Sequence, residues 1–456
     1  MPRADRQLDN KELAILGEAL AHLRQGFDHL PEFDADISLQ PVRDVLIAAA
    51  DRLHDNYPYF HPLYVGQMLK PPHPVARLAY ALAMYINPNN HALDGGRASS
   101  RMEKEAVAEI GRMFGWQDCL GHLSGGGTMA NFEALWVSRE LNTGKAIAAS
   151  SQAHYTHPRL STVLNVPFVE IDIDSQGRMS MSSLESALQS GGVGTVVVTL
   201  GTTAAGAVDP LPQVLQLREQ YPFRIHVDTA YGGYFRLADN LSTEATAAYS
   251  AISQADSIVI DPHKHGLQPY GCGCVLFRDP AVGRLYQHDS PYTYFSSAEL
   301  HLGEISLECS RAGASAVALW ATMQALPLYR DGEFARSISQ CRNAALDLYQ
   351  GLKARVHSKP LFPPQLDIVS WAIPAATASA SSQRAQQIFD SAARHDLHLA
   401  LASYPRSMCV AAQAVDEWDQ DSLMCLRACV MKADHQDWIA QILERLDLAV
   451  TELAEH

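Results

Sequence analysis

Three features stand at strand-like ends in the chain, where they can do covalent and electrostatic chemistry. Lys264 closes the run in DSIVIDPHKHGLQPYGCG (256–273), where three apolar β-formers empty into Asp-Pro-His-Lys and a loop of glycine and proline. An apolar run stopped by turn formers reads as a buried strand, so the amine stands at a strand's mouth. A lone lysine is most often a surface charge; one placed there suits a bond to a carbonyl compound. Asp228 ends a second run, FRIHVDTAYGGYF, as a helix cap, a metal ligand or a partner for a positively charged ring nitrogen. The third feature is HLSGGGTMANFEALWVSREL, a glycine run opening a helix whose apolar face carries Met129, Phe132, Leu135 and Trp136. Free N–H groups at a helix start, approached closely because glycine lacks a side chain, suit a phosphate, with Gly127 and the Thr128 hydroxyl nearest.

The glycine run has rival readings. Gly125 to Ala130 satisfies G-x-G-x-x-A, yet no carboxylate falls near position 150 for a ribose, and the preceding WQDCLGHLS is a poor strand. No G-K-[ST] follows, which disfavours a nucleotide triphosphatase, while a purely structural turn stays open for the loop alone. Together, a phosphate cradle, a carboxylate and a strand-end lysine are the anchors that pyridoxal 5'-phosphate requires. The carboxylate keeps the pyridine nitrogen protonated, and the lysine holds the aldehyde as a Schiff base. His154, in SSQAHYTHPRL after the run KAIAAS, adds an imidazole at another strand end. Alone it is a loop residue; with the others it stacks on the ring and handles protons.

These residues need an α/β frame. Between 101 and 330 the segments KAIAAS, VPFVEIDI, GTVVVTLGTT, FRIHVDTAYGG, DSIVIDPHK and GCVLFRD alternate with helical stretches such as MSSLESALQS and LPQVLQLREQY. That alternation predicts a large domain with a largely parallel sheet and ligands at its carboxyl edge. Residues 1–100 read as a helical segment with the amphipathic VRDVLIAAADRLHDNY and the aromatic arm YPYFHPLYVGQMLKPPHPVARLAYALAMY. Such arms bury against a second subunit. SRAGASAVALWATMQALPLY and FARSISQCRNAALDLYQGL read as one long helical stretch, and 331–456 as a small α+β domain.

The 456 residues are 47% hydrophobic and 19% charged, with 35 basic against 50 acidic side chains and a formal net charge of -15. That balance disfavours nucleic acid and anionic membrane as partners and favours a small molecule in a local pocket. With no signal-peptide core and no apolar run of spanning length, a cytoplasmic location is expected. The pairs Cys272/Cys274 and Cys425/Cys429 lack the spacing of a zinc site, so no metal is expected and the eight cysteines read as buried thiols.

In order, SGGGTMAN, QAHYTH, TLGTT, HVDTAYGGYF and DPHKHGLQPYGCGCVLFRD resemble the group II pyridoxal-phosphate-dependent amino-acid decarboxylases over most of 60–450. The resemblance implies the fold type I architecture of pyridoxal-phosphate enzymes, with a mostly parallel seven-stranded sheet and a small C-terminal domain. It also implies a homodimer with active sites at the interface. By position, Lys264 binds the aldehyde, Asp228 pairs with the ring nitrogen, and His154 and Ala230 cover opposite ring faces. Gly127, Thr128 and His263 lie near the phosphate, and Thr203 near the ring. The reaction implied is loss of CO₂ from an L-amino acid to give an amine, with aromatic segments leaning toward an aromatic or bulky substrate. Alternatives are Cα–Cβ cleavage, decarboxylation coupled to oxidative deamination, or a non-catalytic cofactor-binding scaffold. The chain departs from the animal branch in having His265 after the lysine and a shorter following loop, RLYQHDSPYTYFSSAELHLGE. In that loop Tyr292 or Tyr294 is the candidate proton donor to Cα. Arg311 reads as an anion ligand or a helix-end salt bridge, and beyond it and Arg427 no basic cluster stands out for a phosphorylated substrate.

Overall fold

A computed structural model describes residues 11–31, 39–91, 95–286 and 306–454. Seven strands make the main sheet: β1 (Leu120–Ser124), β2 (Ala146–Ser150), β3 (Phe168–Ile171), β4 (Val193–Thr199), β5 (Arg224–Thr229), β6 (Ser257–Ile260) and β7 (Gly273–Phe277). Their order is β1-β7-β6-β5-β4-β2-β3. The β6–β5–β4–β2–β3 ladder is parallel, whereas β7 pairs antiparallel with both β1 and β6. Helices cover both faces of such a sheet, so its central strands carry continuous apolar runs. VGTVVVT of β4 and SIVI of β6 are buried at every position. Ile225, Val227, Ile258 and Ile260 are fully buried, each contributing about 1.5–3 kcal/mol through removal from water.

WQDCLGHLS, a poor strand by composition, nevertheless ends in β1. Its sequence lacks β-branched residues because it is an edge strand whose stability comes from its five-residue register with β7 and from buried polar contacts. His122 Nε2 lies 2.7 Å from Glu133 Oε2 on the following helix. The long helical stretch is also two helices, Gly313–Ala325 and Glu333–Lys353. Pro327 and the left-handed Asp331 (φ 65°) lie in the connection, and proline cannot donate the next helical hydrogen bond.

The C-terminal part has its own four-stranded antiparallel sheet, ordered Ala400–Pro405, Ser422–Cys429, Ile368–Ala372 and Lys359–Pro360. Helices Glu333–Lys353, Ala378–Arg394 and His435–Ala454 share its apolar core. The aromatic arm is strapped to this sheet within the same chain. Val65 N–H donates to His398 C=O (2.9 Å) and Val65 C=O accepts from Cys429 N–H (2.7 Å), with Leu63 and Val65 joining the same core. The preceding helices α1 (Lys11–Gln25) and α2 (Leu39–Leu53) bury no residue, and Leu39, Val45, Leu46 and Leu53 of α2 are exposed. All eight cysteines are free thiols.

Candidate active site

Parallel strands discharge their loops at one edge, and here β4, β5 and β6 end beside the glycine loop that follows β1. The glycines are required there by space. Gly126 has φ 150°, and a Cβ on Gly127 would lie 2.6 Å from Asp261 Oδ2. Helix α5 (Gly127–Leu141) starts at once, and its first intrahelical bond is Ala130 N–H to Gly126 C=O (3.0 Å). The N–H groups of Gly127, Thr128 and Met129 precede that bond, so they are available to an anion. Gly125 N–H is engaged by the Glu308 carboxylate at 2.9 Å and 3.1 Å.

Asp228, the fifth residue of β5, is 4% exposed. Its Oδ2 accepts from His157 Nε2 (2.9 Å) and Asn131 Nδ2 (3.3 Å), and its Oδ1 from Ala230 N–H (3.0 Å). Burial alone would raise its pKa, but the His157 hydrogen bond and charge and the Ala230 amide outweigh it and hold the carboxyl far below the usual range. Asn131 is itself oriented: its Oδ1 lies 2.8 Å from His226 Nε2, and His226 Nδ1 lies 2.8 Å from Ser257 Oγ.

Lys264 follows β6 through a turn in which its N–H donates to Asp261 C=O (2.9 Å). Its Nζ is 3.0 Å from Asp261 Oδ2, and the side chain is 21% exposed. His263 Nδ1 lies 2.8 Å from Cys272 C=O, and burial lowers its pKa. His154 Nδ1 accepts from Thr156 N–H (3.2 Å); burial, partly opposed by Asp228, lowers its pKa, favouring the neutral ring. Gly127, Thr128, His154, Thr203, Asp228, Ala230, His263 and Lys264 all line one cavity of about 850 Å³.

Other lining residues had no site role in the sequence reading: Asp261, Glu308, Tyr155 and Tyr270, together with Phe132, which was read as part of the helix's apolar face. Asp261 was visible inside the Asp-Pro-His-Lys box, whereas Glu308 reaches Gly125 across 183 positions of chain, a contact no local pattern announces. Arg311 is not at the cavity. Its Nη1 pairs with buried Glu103 (2.5 Å) and donates to Leu123 C=O (2.7 Å), and its Nη2 donates to Asn90 C=O (2.9 Å). Of its two readings, the salt bridge is the one present. Arg427 is spent on the carbonyls of Thr203 (2.7 Å) and Ala204 (2.9 Å). His265 points away from the cavity, with Nε2 3.1 Å from Asp367 Oδ2. Tyr292 and Tyr294 lie outside the described residues.

Residues 129–370 match the family model of the pyridoxal-dependent decarboxylase conserved domain. The chain belongs to that family. The L-tyrosine decarboxylase of Enterococcus faecium is 28% identical to this decarboxylase over 415 residues, covering 68% of each chain. That of Levilactobacillus brevis is 27% identical over 440 residues, covering 73% of this chain and 70% of the relative. Among solved structures, Oryza sativa TDC with PLP and tryptamine superposes with a TM-score of 0.77 at 15% identity, covering 99% of this chain and 96% of that one, a likeness of fold. The enzyme is a pyridoxal-phosphate-dependent amino-acid decarboxylase of fold type I.

Its own residues fit that cofactor. An ionised carboxylate with only hydrogen-bond donors at its oxygens, a primary amine and an open helix start share one cavity. The Asp261 Oδ1 atom is buried without a hydrogen-bond partner among the described residues, a polar edge of the sort that a bound group satisfies.

Proposed function

We propose that this decarboxylase acts on an L-amino acid with an aromatic side chain, of the tyrosine class, releasing CO₂ and the corresponding amine. The observation that carries this reading is the single cavity shared by the Lys264 amine, the Asp228 carboxylate and the start of α5. When bound, pyridoxal phosphate supplies an electron-withdrawing ring that accepts the electron pair released as the bond from Cα to the carboxylate breaks. The chain's part is attachment, orientation and electrostatics. Lys264 is the covalent anchor, the N–H groups of Gly127 and Thr128 hold the phosphate with His263 nearby, and Asp228 retains the proton on the ring nitrogen. His154 covers one ring face and Ala230 the other, with Thr203 at the ring's edge. Tyr294, outside the described residues, is the proposed proton donor to Cα.

Two things support an aromatic substrate. The relatives are named for tyrosine, and Phe132, Tyr155 and Tyr270 line the cavity. Its charged lining among the described residues is Asp228, Asp261 and Glu308 against Lys264, a balance that repels a second carboxylate on the substrate. The same reading has two copies of the chain meeting through the exposed apolar faces of α1 and α2, with the active sites at that interface and the enzyme in the cytoplasm.

The test is to incubate the cofactor-loaded protein with L-tyrosine, L-tryptophan, L-phenylalanine, L-glutamate and L-aspartate and to quantify CO₂ and products by mass spectrometry. An aromatic amine formed one-to-one with CO₂ is expected. Preference for either acidic amino acid would overturn the aromatic assignment. An aldehyde with ammonia in place of the amine would move the reaction to oxidative deamination.

A further inference from the structure

His157 has no assigned place in the reaction so far, yet it is the side chain most closely committed to Asp228. It is fully buried, its Nε2 lies 2.9 Å from Asp228 Oδ2, and its Nδ1 has no partner among the described residues. Asp228 is ionised, so Nε2 carries the proton and donates. A buried histidine of no consequence to chemistry would satisfy both its nitrogens or face apolar neighbours. This one leaves a nitrogen unsatisfied while spending the other on one carboxylate oxygen.

The position of His157 in the chain adds a second observation. It lies in the first turn of helix α6 (Thr156–Val163), and its N–H donates to the carbonyl of His154 (3.0 Å). His154, three residues earlier, lines the cavity. One turn therefore carries two imidazoles with different tasks, one exposed to the cavity and one beneath it holding the carboxylate. On the other side, Asn131 Nδ2 reaches the same Oδ2 at 3.3 Å and is aimed by His226. With Ala230 N–H on Oδ1 at 3.0 Å, these donors leave the carboxylate one free direction, into the cavity.

From this geometry we infer that His157 is a positioning residue: it fixes and charges Asp228 so that the carboxylate holds the proton on the cofactor's ring nitrogen. The inference rests on the cofactor reading above and goes beyond it by assigning the residue that acts through Asp228. The His-x-x-His turn then couples ring stacking to ring-nitrogen protonation, because a shift of the 154–157 turn displaces both contacts at once.

The experiment compares cofactor affinity, by absorbance and fluorescence titration, for the parent protein and His157→Phe, which keeps a ring but has no donor. Each is titrated with pyridoxal phosphate and with its 1-deaza analogue, which has carbon in place of the ring nitrogen. By analogy with the outer hydrogen-bond partners of metal ligands, loss of His157 should weaken binding by about 10- to 100-fold. That loss is expected with pyridoxal phosphate and not with the analogue, where parent and variant should agree within about twofold, the range of independent effects. His157→Gln, which keeps a donor, should recover most of the affinity. Equal losses with both cofactors would mean that His157 only shapes the pocket and would overturn the proposal, as would no loss with either. If His157→Phe does not fold, His157→Asn, too short to reach Oδ2, carries the same expectation. A parent protein that binds neither cofactor would overturn the cofactor reading and this inference with it, whereas normal parent binding confines any failure to His157.

Discussion

Glu103 lies buried under the glycine loop, accepting from Leu123 N–H (2.9 Å) and Asn90 Nδ2 (2.6 Å) and paired with Arg311. Burial would raise its pKa, but the Arg311 charge and hydrogen bond hold it down. Removing the arginine strands an ionised group, so Arg311→Leu should cost about 3–5 kcal/mol in denaturant unfolding. Were Arg311 instead a substrate ligand, the variant would unfold normally and show a raised KM. At Lys264 the expectation is reversed. Lys264→Ala should fold normally, lose the visible absorbance of the bound aldehyde, and lose activity by at least about 10³-fold, the scale of an essential electrostatic or covalent group; a variant with unchanged absorbance would remove Lys264 from its role. Lys264, Asp228 and His154 were legible because each sits at the end of a strand-like run or follows one. His157 was not legible as Asp228's partner, since the two are 71 positions apart and only the parallel packing of the sheet brings the first turn of α6 to the end of β5.

Strand β5 carries one buried histidine, His226, that makes the element sensitive to acid. Burial pushes the pKa of His226 down to about 3, the nearby Asp228 opposing only in part. The unfolded chain takes up a proton below about pH 6.5 while the folded chain does not until near pH 3, so stability falls as pH drops through that window. One such group costs about 1.4 kcal/mol per pH unit. The lowered pKa of Asp228 acts only below its unfolded value of 3.8, whereas burial pushes the Asp209 carboxyl up to about 7, so the folded chain takes up a proton there and opposes the histidine between pH 6 and 4. His226→Asn should lower the number of protons taken up on unfolding there by about one, read from the dependence of the denaturant midpoint on pH. A slope identical to the parent's would show that His226 is not the titrating group. At this scale the parallel strands were readable from their apolar runs. β1 was not, because its partner β7 lies some 150 positions on in sequence, at Gly273–Phe277, and edge strands need little β-propensity of their own.

At the level of the molecule, the informative surface is the one left bare. Leu46 and Val45 of α2 are 64% and 67% exposed, with Leu39 and Leu53 alongside, an apolar face that soluble proteins cover with a partner. The protein should sediment at about twice its chain mass of 49.9 kDa, and Leu46→Glu should shift it toward the monomer with loss of activity. A parent that is monomeric and fully active would remove the interface from the functional reading. The division into a sheet-bearing large part and a smaller C-terminal sheet was visible in the change of pattern along the chain. That the aromatic arm is strapped to the C-terminal sheet was not, because Val65 bonds to residues more than 300 positions away.

The one reversed strand in the main sheet also sets a length. β7 lies between β1 and β6, with Gly273 opposite Ser124 on one side and Cys274 opposite Ile260 on the other. Neighbouring strands are about 4.8 Å apart, so β1 and β6 run about two strand widths, or roughly 10 Å, from each other, while the loops that leave them lean together until a Cβ on Gly127 would lie 2.6 Å from Asp261 Oδ2. β7 thus works as a gauge block: the separation of the two strand ends is fixed by backbone hydrogen bonds on either side of it. The gauge is cut close at Gly273, where a Cβ would come within 2.5 Å of the Gly126 carbonyl carbon, so even one methyl group at that point would push the cradle off its mark.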